Sequence, residues 1–237
     1  MRILHVRRWP QFLGLLALAL SSLAMGQCPP GTQQGAYSQL GTAPYSGPSV
    51  VVKQSPVNLC ASTGQIFRAE MDGNLAQVSL WVRRAGITPA GTMLCVRIFG
   101  VGKQVPADLP AAAPLPAFCA SQSIGVSAPP TKIMPGGALG IWTAFPFATP
   151  VHLRKGSYYA IVVEPVGPWL PGWSVWVSTT FTSPFPQAVH SFDATVKTNV
   201  VPPVWTPGGR HVNKDLLFQT CVTPDPAPDC CCLRRWT

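Results

Sequence analysis

Acidic side chains are scarce in this chain: eight Asp and Glu stand against 17 Lys and Arg in 237 residues. The formal net charge of +9 therefore reflects missing acids more than a basic domain. Arg83-Arg84 and Arg154-Lys155 are the only basic doublets in the body of the chain, and no basic cluster is interleaved with stacking aromatics. That excludes the usual footprint of a nucleic-acid partner and leaves a weak attraction to anionic cell-surface polymers. Helix signals are missing too, since no capped segment with a 3.6-residue period and a dozen residues follows the first 26 positions. After those positions no apolar run approaches the ~20 residues that cross a bilayer as a helix. Catalytic signatures are absent as well. There is no G-x-S-x-G, because Gly172-Trp173-Ser174-Val175-Trp176 lacks the second glycine, and no H-E-x-x-H, G-x-x-x-x-G-K-[ST] or G-x-G-x-x-G.

Cysteine is absent from the first 27 residues, and the following 210 hold eight. Arg2, Arg7 and Arg8 form a basic start, Phe12 to Leu23 an apolar stretch, and Ala24-Met25-Gly26 a small-x-small cleavage site. Residues 1–26 are thus expected to be a signal peptide, and the protein to be secreted, with the periplasm or cell surface as variants of the same address. Cys28 follows Gln27 instead of a small residue, which argues against lipidation at that cysteine. Removal of residues 1–26 deletes three of the 17 basic residues and no acid, leaving 14 minus 8, a net charge of +6. An oxidising compartment makes disulfides the first reading of the cysteines.

Twenty-seven prolines and 21 glycines punctuate the chain. Proline removes a helix N–H and clashes with the preceding turn, so the punctuation favours short extended segments. Between the breaks lie runs of Val, Ile, Phe, Trp, Tyr and Thr, which suit a half-buried pleated surface. Strands are predicted at Gln65 to Met71, Ala76 to Arg84, Thr92 to Gly100, Ala117 to Ser127, Gly140 to Phe147, Ser157 to Glu164, Ser174 to Thr180, Val189 to Thr195 and Asp215 to Val222. Val78, Leu80 and Val82 alternate with Gln77, Ser79 and Trp81, which predicts one buried and one wet face. The fold class expected is all-β, an antiparallel two-sheet β-sandwich of the jelly-roll kind, with helix only in the signal segment. Residues 27–59 read as an irregular N-terminal arm, 60–222 as the sandwich, and 223–237 as a Pro-rich, Cys-rich tail.

The order Gln65-Ile66-Phe67, AQVSLWVRRAG, TMLCVRIFG, IWTAFPFATPVHLRKGSYYAIVVEP and DLLFQT resembles secreted bacterial β-sandwich modules related to galactose-binding-like jelly rolls. The resemblance spans roughly Cys60 to Val222. The extra cysteines, the proline-rich insert from Val101 to Pro116 and the Trp-rich segment after Glu164 depart from it. It implies a non-catalytic attachment or carbohydrate-recognition role without naming a ligand.

Trp142, Phe145 and Phe147 are read as core, because large aromatics dominate sandwich interiors. Trp169, Trp173 and Trp176 stand on a proline-stiffened segment and are the candidates for stacking on sugar rings, with Arg210 as a polar contact; covering the end of the sandwich is the competing role. Glu164, Arg210 and Asp215 are the polar groups that a sugar site would need to gather. Glu70 and Asp72 lie in an oxygen-rich turn that is a weak candidate for calcium, with an ordinary Asp-Gly turn as the favoured reading. No other cofactor is expected. His190 with Asp193 lacks a convincing nucleophile.

Cys95 and Cys119 fall on consecutive predicted strands, and a hairpin would bridge them. Cys60 and Cys221 flank the domain, and their bridge would close a loop of about 160 residues. Cys28 would then reach Cys230, Cys231 or Cys232, with intermolecular disulfides through that tail as the alternative. The expected function is extracellular binding of a polysaccharide or cell-surface protein, or a structural part of an extracellular assembly that self-associates through edge strands or tail cysteines. A secreted carbohydrate-active hydrolase is the other class left open, and its paired carboxylates would have to come from Glu70, Asp72, Glu164, Asp193 and Asp215.

Overall fold

A computed structural model describes residues 28–38, 49–54, 59–85, 93–102, 118–132, 140–166, 174–178, 188–197, 201–211 and 215–226. The segment read as a signal peptide and the cysteine triplet lie outside the described residues. In chain order the strands are β1 (Gln33–Tyr37), β2 (Ser49–Gln54), β3 (Leu59–Arg68), β4 (Gly73–Ala85), β5 (Met93–Gly102), β6 (Phe118–Cys119) and β7 (Ser123–Val126). They continue with β8 (Thr131–Lys132), β9 (Ile141–Leu153), β10 (Tyr158–Val166), β11 (Ser174–Ser178), β12 (Ala188–Lys197), β13 (Val204–His211) and β14 (Phe218–Pro224).

The strands form two antiparallel sheets, as the composition predicts. The first has the order β1-β14-β4, with β9 on the far side of β4. The second runs β12-β3-β10-β5-β7, with β13 beyond β12 and β8 also against β5. Strands β11 and β2 join them, because β11 pairs with the end of β4 and β2 pairs with the start of β3. At the opposite side the chain after β7 bonds across to β9: Ala128 N donates to Pro146 O at 2.9 Å and Thr131 Oγ1 to Ala144 O at 2.9 Å. Closing both sides leaves few unpaired strand edges, which are the liability of an open sheet.

Alternation explains the core. Val78, Leu80 and Val82 on β4 meet Phe145, Phe147, Val151 and Leu153 from β9, Leu94, Val96 and Ile98 from β5, and Tyr159, Ile161 and Val163 from β10. Trp142 departs from the expectation. The inward positions of β9 are Thr143, Phe145 and Phe147, so Trp142 is out of phase with them and sits partly exposed on the far face of the sheet.

The second sheet is buried on both faces, where alternation predicts one wet face. On its outer side Ile66, Ala160, Val162 and Phe99 pack with Phe192, Ala194 and Trp205. In a flat sheet four strand spacings, about 19 Å, would separate β13 from β5. The Trp205 and Phe99 rings are 5.9 Å apart, so the β12–β13 ribbon folds back over the sheet. Gly64 makes room for it, because a Cβ there would collide with the Phe192 ring and lie 2.7 Å from Ile161 O.

One further expectation is corrected. Part of the arm read as irregular is β1, paired with β14. The turn at Lys155-Gly156, with Gly156 at φ 80°, carries the chain from one sheet to the other, since β9 pairs with β4 and β10 with β3 and β5.

The disulfide expectations also change. Because β1 returns to the edge of the first sheet, Cys28 bonds to Cys221, with Cα atoms 5.3 Å apart. Cys221 is therefore not available to Cys60, nor Cys28 to Cys230. Cys60 on β3 faces Gln54 and Val196, on strands remote from β14. Cys95 and Cys119 do not share a hairpin: β6 pairs with β13, and Cys95 is a buried free thiol.

Candidate ligand-binding face

The outer face of the first sheet carries a paired-indole surface. Trp81 on β4 and Trp142 on β9 are direct cross-strand partners, the closest side-chain neighbours a sheet provides. Their rings meet edge to face, with centroids 5.6 Å apart and planes at 88°, an arrangement favoured by the aromatic quadrupole. Both are only partly buried. Gly140, at φ 76°, precedes β9 and accepts a backbone conformation that side chains avoid. A Cβ there would stand 2.7 Å from Trp81 Nε1 and 3.0 Å from Val82 O, so the glycine lets the indole lie against the chain.

Arg83 follows Trp81 by two residues and shares its face by strand alternation. Desolvation by burial lowers its pKa from the ordinary value. The backbone of β11 brings Trp176 into register with Arg83. An apolar surface with an adjacent guanidinium can cover the C–H face of a sugar while donating hydrogen bonds to hydroxyl or anionic groups.

The opposite sheet carries a second polar constellation. Glu164 and Cys95 are cross-strand neighbours on β10 and β5. Glu164 Oε2 accepts from Arg97 Nε at 2.5 Å and from Cys95 Sγ at 3.3 Å. The Arg97 guanidinium lies 5.2 Å from the centroid of the Trp205 ring. Burial raises the Cys95 thiol pKa far above its ordinary value, and the Glu164 charge and hydrogen bond push the same way, with Arg97 opposing. Such a thiol holds its proton and is a poor nucleophile. The cluster pins the folded-back ribbon.

In the core, Gln65 Nε2 donates to Asp215 Oδ1 at 3.1 Å and Leu216 N donates to Gln65 Oε1 at 2.8 Å. These bonds connect the sheets through a buried polar bridge. Asp72 Oδ1 accepts from Lys155 N at 2.9 Å, which ties the proposed calcium turn to the next loop. Among the described residues no three His, Cys, Asp or Glu gather as a metal-binding group.

Of the sugar-site candidates, Trp169 and Trp173 lie outside the described residues. The backbones of Trp176 and Arg210 are on β11 and β13, separated in strand order by β2, β3 and β12. Strand order thus does not unite them as one site. The Trp81–Trp142 pair escapes sequence reading because cross-strand register is a tertiary fact. Its signal was the phase of Trp142, one step off Thr143, Phe145 and Phe147.

No protein-family profile matches the chain, and no curated protein matches it.

Proposed function

We propose that the protein is a non-catalytic extracellular β-sandwich that binds a polysaccharide or surface glycan on its Trp81–Trp142 face. The observation carrying this conclusion is the edge-to-face indole pair, left partly in water on a rigid sheet with Arg83 on the same face. Exposed large aromatics on a fixed scaffold are the residues that anchor ligands, since they offer area at little cost in side-chain entropy. The excess of basic over acidic residues suits an anionic or hydroxyl-rich polymer. The resemblance of the strand patterns to galactose-binding-like jelly rolls supports the same class.

The placement of Glu164 and Asp215 argues against a hydrolytic pair formed by these two. Glu164 lies on the outer face of the second sheet in its ion pair, while Asp215 meets Gln65 in the interior. Facing opposite sides of one sheet, these two do not flank a common glycosidic bond.

A glycan array followed by affinity measurement on the best hit tests the proposal. Trp81→Ala and Trp142→Ala each weaken binding roughly fivefold, since a ring contact contributes about 1 kcal/mol. Absence of any glycan signal for the wild type overturns the proposal; undiminished binding by both variants rules out this face.

A further inference from the structure

We infer that the glycan face continues from the Trp81–Trp142 pair across β14 to β1, where Tyr37, Gln34 and Gln219 form a second subsite that selects an internal stretch of a neutral polysaccharide over a terminal sugar. The inference rests on the carbohydrate reading and narrows its substrate class.

Strand phase puts the added residues on the same side of the sheet as the indoles. Phe218 and Ala36 belong to the core, so Gln219 and Tyr37, each one step further along, face outward. Tyr37 is the cross-strand partner of Gln219, and Gln219 is the partner of Ser79, two residues before Trp81. Ser79 is small and buried, so no side chain of β4 rises between Trp81 and Gln219. Gln34 completes the group, opposite Cys221 on β14. It is exposed, while Tyr37 and Gln219 are half-buried. From β9 to β1 this surface crosses three strand intervals, about 14 Å, which is more than a single pyranose ring covers.

The two amides are fixed before any ligand arrives. Gln219 Nε2 donates to Gln34 Oε1 at 3.2 Å and to Cys28 Sγ at 3.5 Å, and Cys28 is itself bonded to Cys221. The amide–amide bond uses an acceptor of Gln34 and a donor of Gln219, so the pair presents the Gln34 amino group and the Gln219 carbonyl. A sugar hydroxyl both donates and accepts, and the pair answers both needs. Tyr37 adds a ring face for C–H contact with a hydroxyl at its edge. Charge narrows the ligand further, because none of Trp81, Ser79, Gln219, Gln34 and Tyr37 carries a formal charge and Arg83 lies on the other side of Trp81 along β4. An anionic chain running toward β1 would give up water and meet no cation among these residues, whereas hydroxyls meet partners.

The test is calorimetric titration of the full chain with the disaccharide and the hexasaccharide of the neutral cello-, xylo- and manno-series, with polygalacturonate as the charged comparison. In the series that binds, the hexasaccharide binds at least roughly tenfold tighter than the disaccharide, the gain expected from the added hydrogen bonds and ring contact. Tyr37→Ala and Gln34→Ala each remove about fivefold of that gain, while Trp81→Ala weakens both sugars. Equal affinity for the two lengths overturns the inference, as does hexasaccharide binding that both β1 variants retain in full, or binding of polygalacturonate alone. Length-independent binding that Trp81→Ala abolishes removes the second subsite and leaves the carbohydrate reading standing; no binding by any sugar removes both. The comparison of lengths on the wild type decides even where a variant fails to fold.

Discussion

Cys95 shows how a side chain's surroundings decide its chemistry. The thiol sits under a folded-back ribbon, hydrogen-bonded to a carboxylate that also holds Arg97. Because its pKa is raised in the folded state, the native protein keeps the proton at alkaline pH while the unfolded chain, near the ordinary value of 9.0, gives it up. The thiol's contribution to stability is complete below pH 9 and declines as pH rises above it. Wild type therefore loses about 1.4 kcal/mol relative to Cys95→Ala between pH 8 and pH 10, the linkage expected for one such proton. Urea unfolding at the two pH values measures the difference, and a constant difference means that the folded thiol ionises normally. Glu164→Gln retains most of the effect, because desolvation comes before the Glu164 charge among its causes.

At the scale of strands, the outer layer on the second sheet turns on a missing side chain. Gly64 lies beneath Phe192, and β12 follows β3 along its length. Gly64→Ala puts a methyl group into space held by that ring and by Ile161 O, which is backbone and cannot swing aside. Destabilisation of roughly 1–3 kcal/mol follows, the usual cost of overpacking. Thermal unfolding checks it, and an unchanged midpoint would mean that the ribbon rides loosely on the sheet. The principal strands on the core face were legible because Val78, Leu80 and Val82, or Leu94, Val96 and Ile98, repeat with a period of two. The outer layer was half legible: Tyr158 to Val163 is a continuous apolar run, the mark of a strand covered on both sides. What covers it is a ribbon over a hundred residues away from β3 in sequence, and no local pattern reports that contact. Among the site candidates, the phase of Trp142 was readable, whereas its position opposite Trp81 depends on β4–β9 register.

For the molecule as a whole, the bridge between Cys28 and Cys221 matters because it spans almost the full described fold, with a separation of 193 residues. It fastens β1, an edge strand with β14 as its neighbour, which would otherwise depend on ladder bonds and a few side-chain bonds such as Thr220 Oγ1 to Ala36 O at 2.8 Å. Closing so long a loop restricts the unfolded chain by roughly 5 kcal/mol in the entropy model, near the upper end of what native disulfides contribute. The core is formed largely by β4, β5, β9, β10 and β14, so losing the bridge weakens the sandwich without removing its interior. Cys28→Ala with Cys221→Ala accordingly lowers the melting temperature by roughly 5–15 °C, from a loss of about 2–5 kcal/mol. Alanine is the appropriate replacement because Cys221 is fully buried and a serine hydroxyl there would need a partner. Hydrogen exchange distinguishes the cause: amides of Gln33–Tyr37 lose protection first in the double variant, while those of β10 keep theirs until global unfolding. Equal loss across both strands would mean that the bridge acts on the whole sandwich instead of holding its edge.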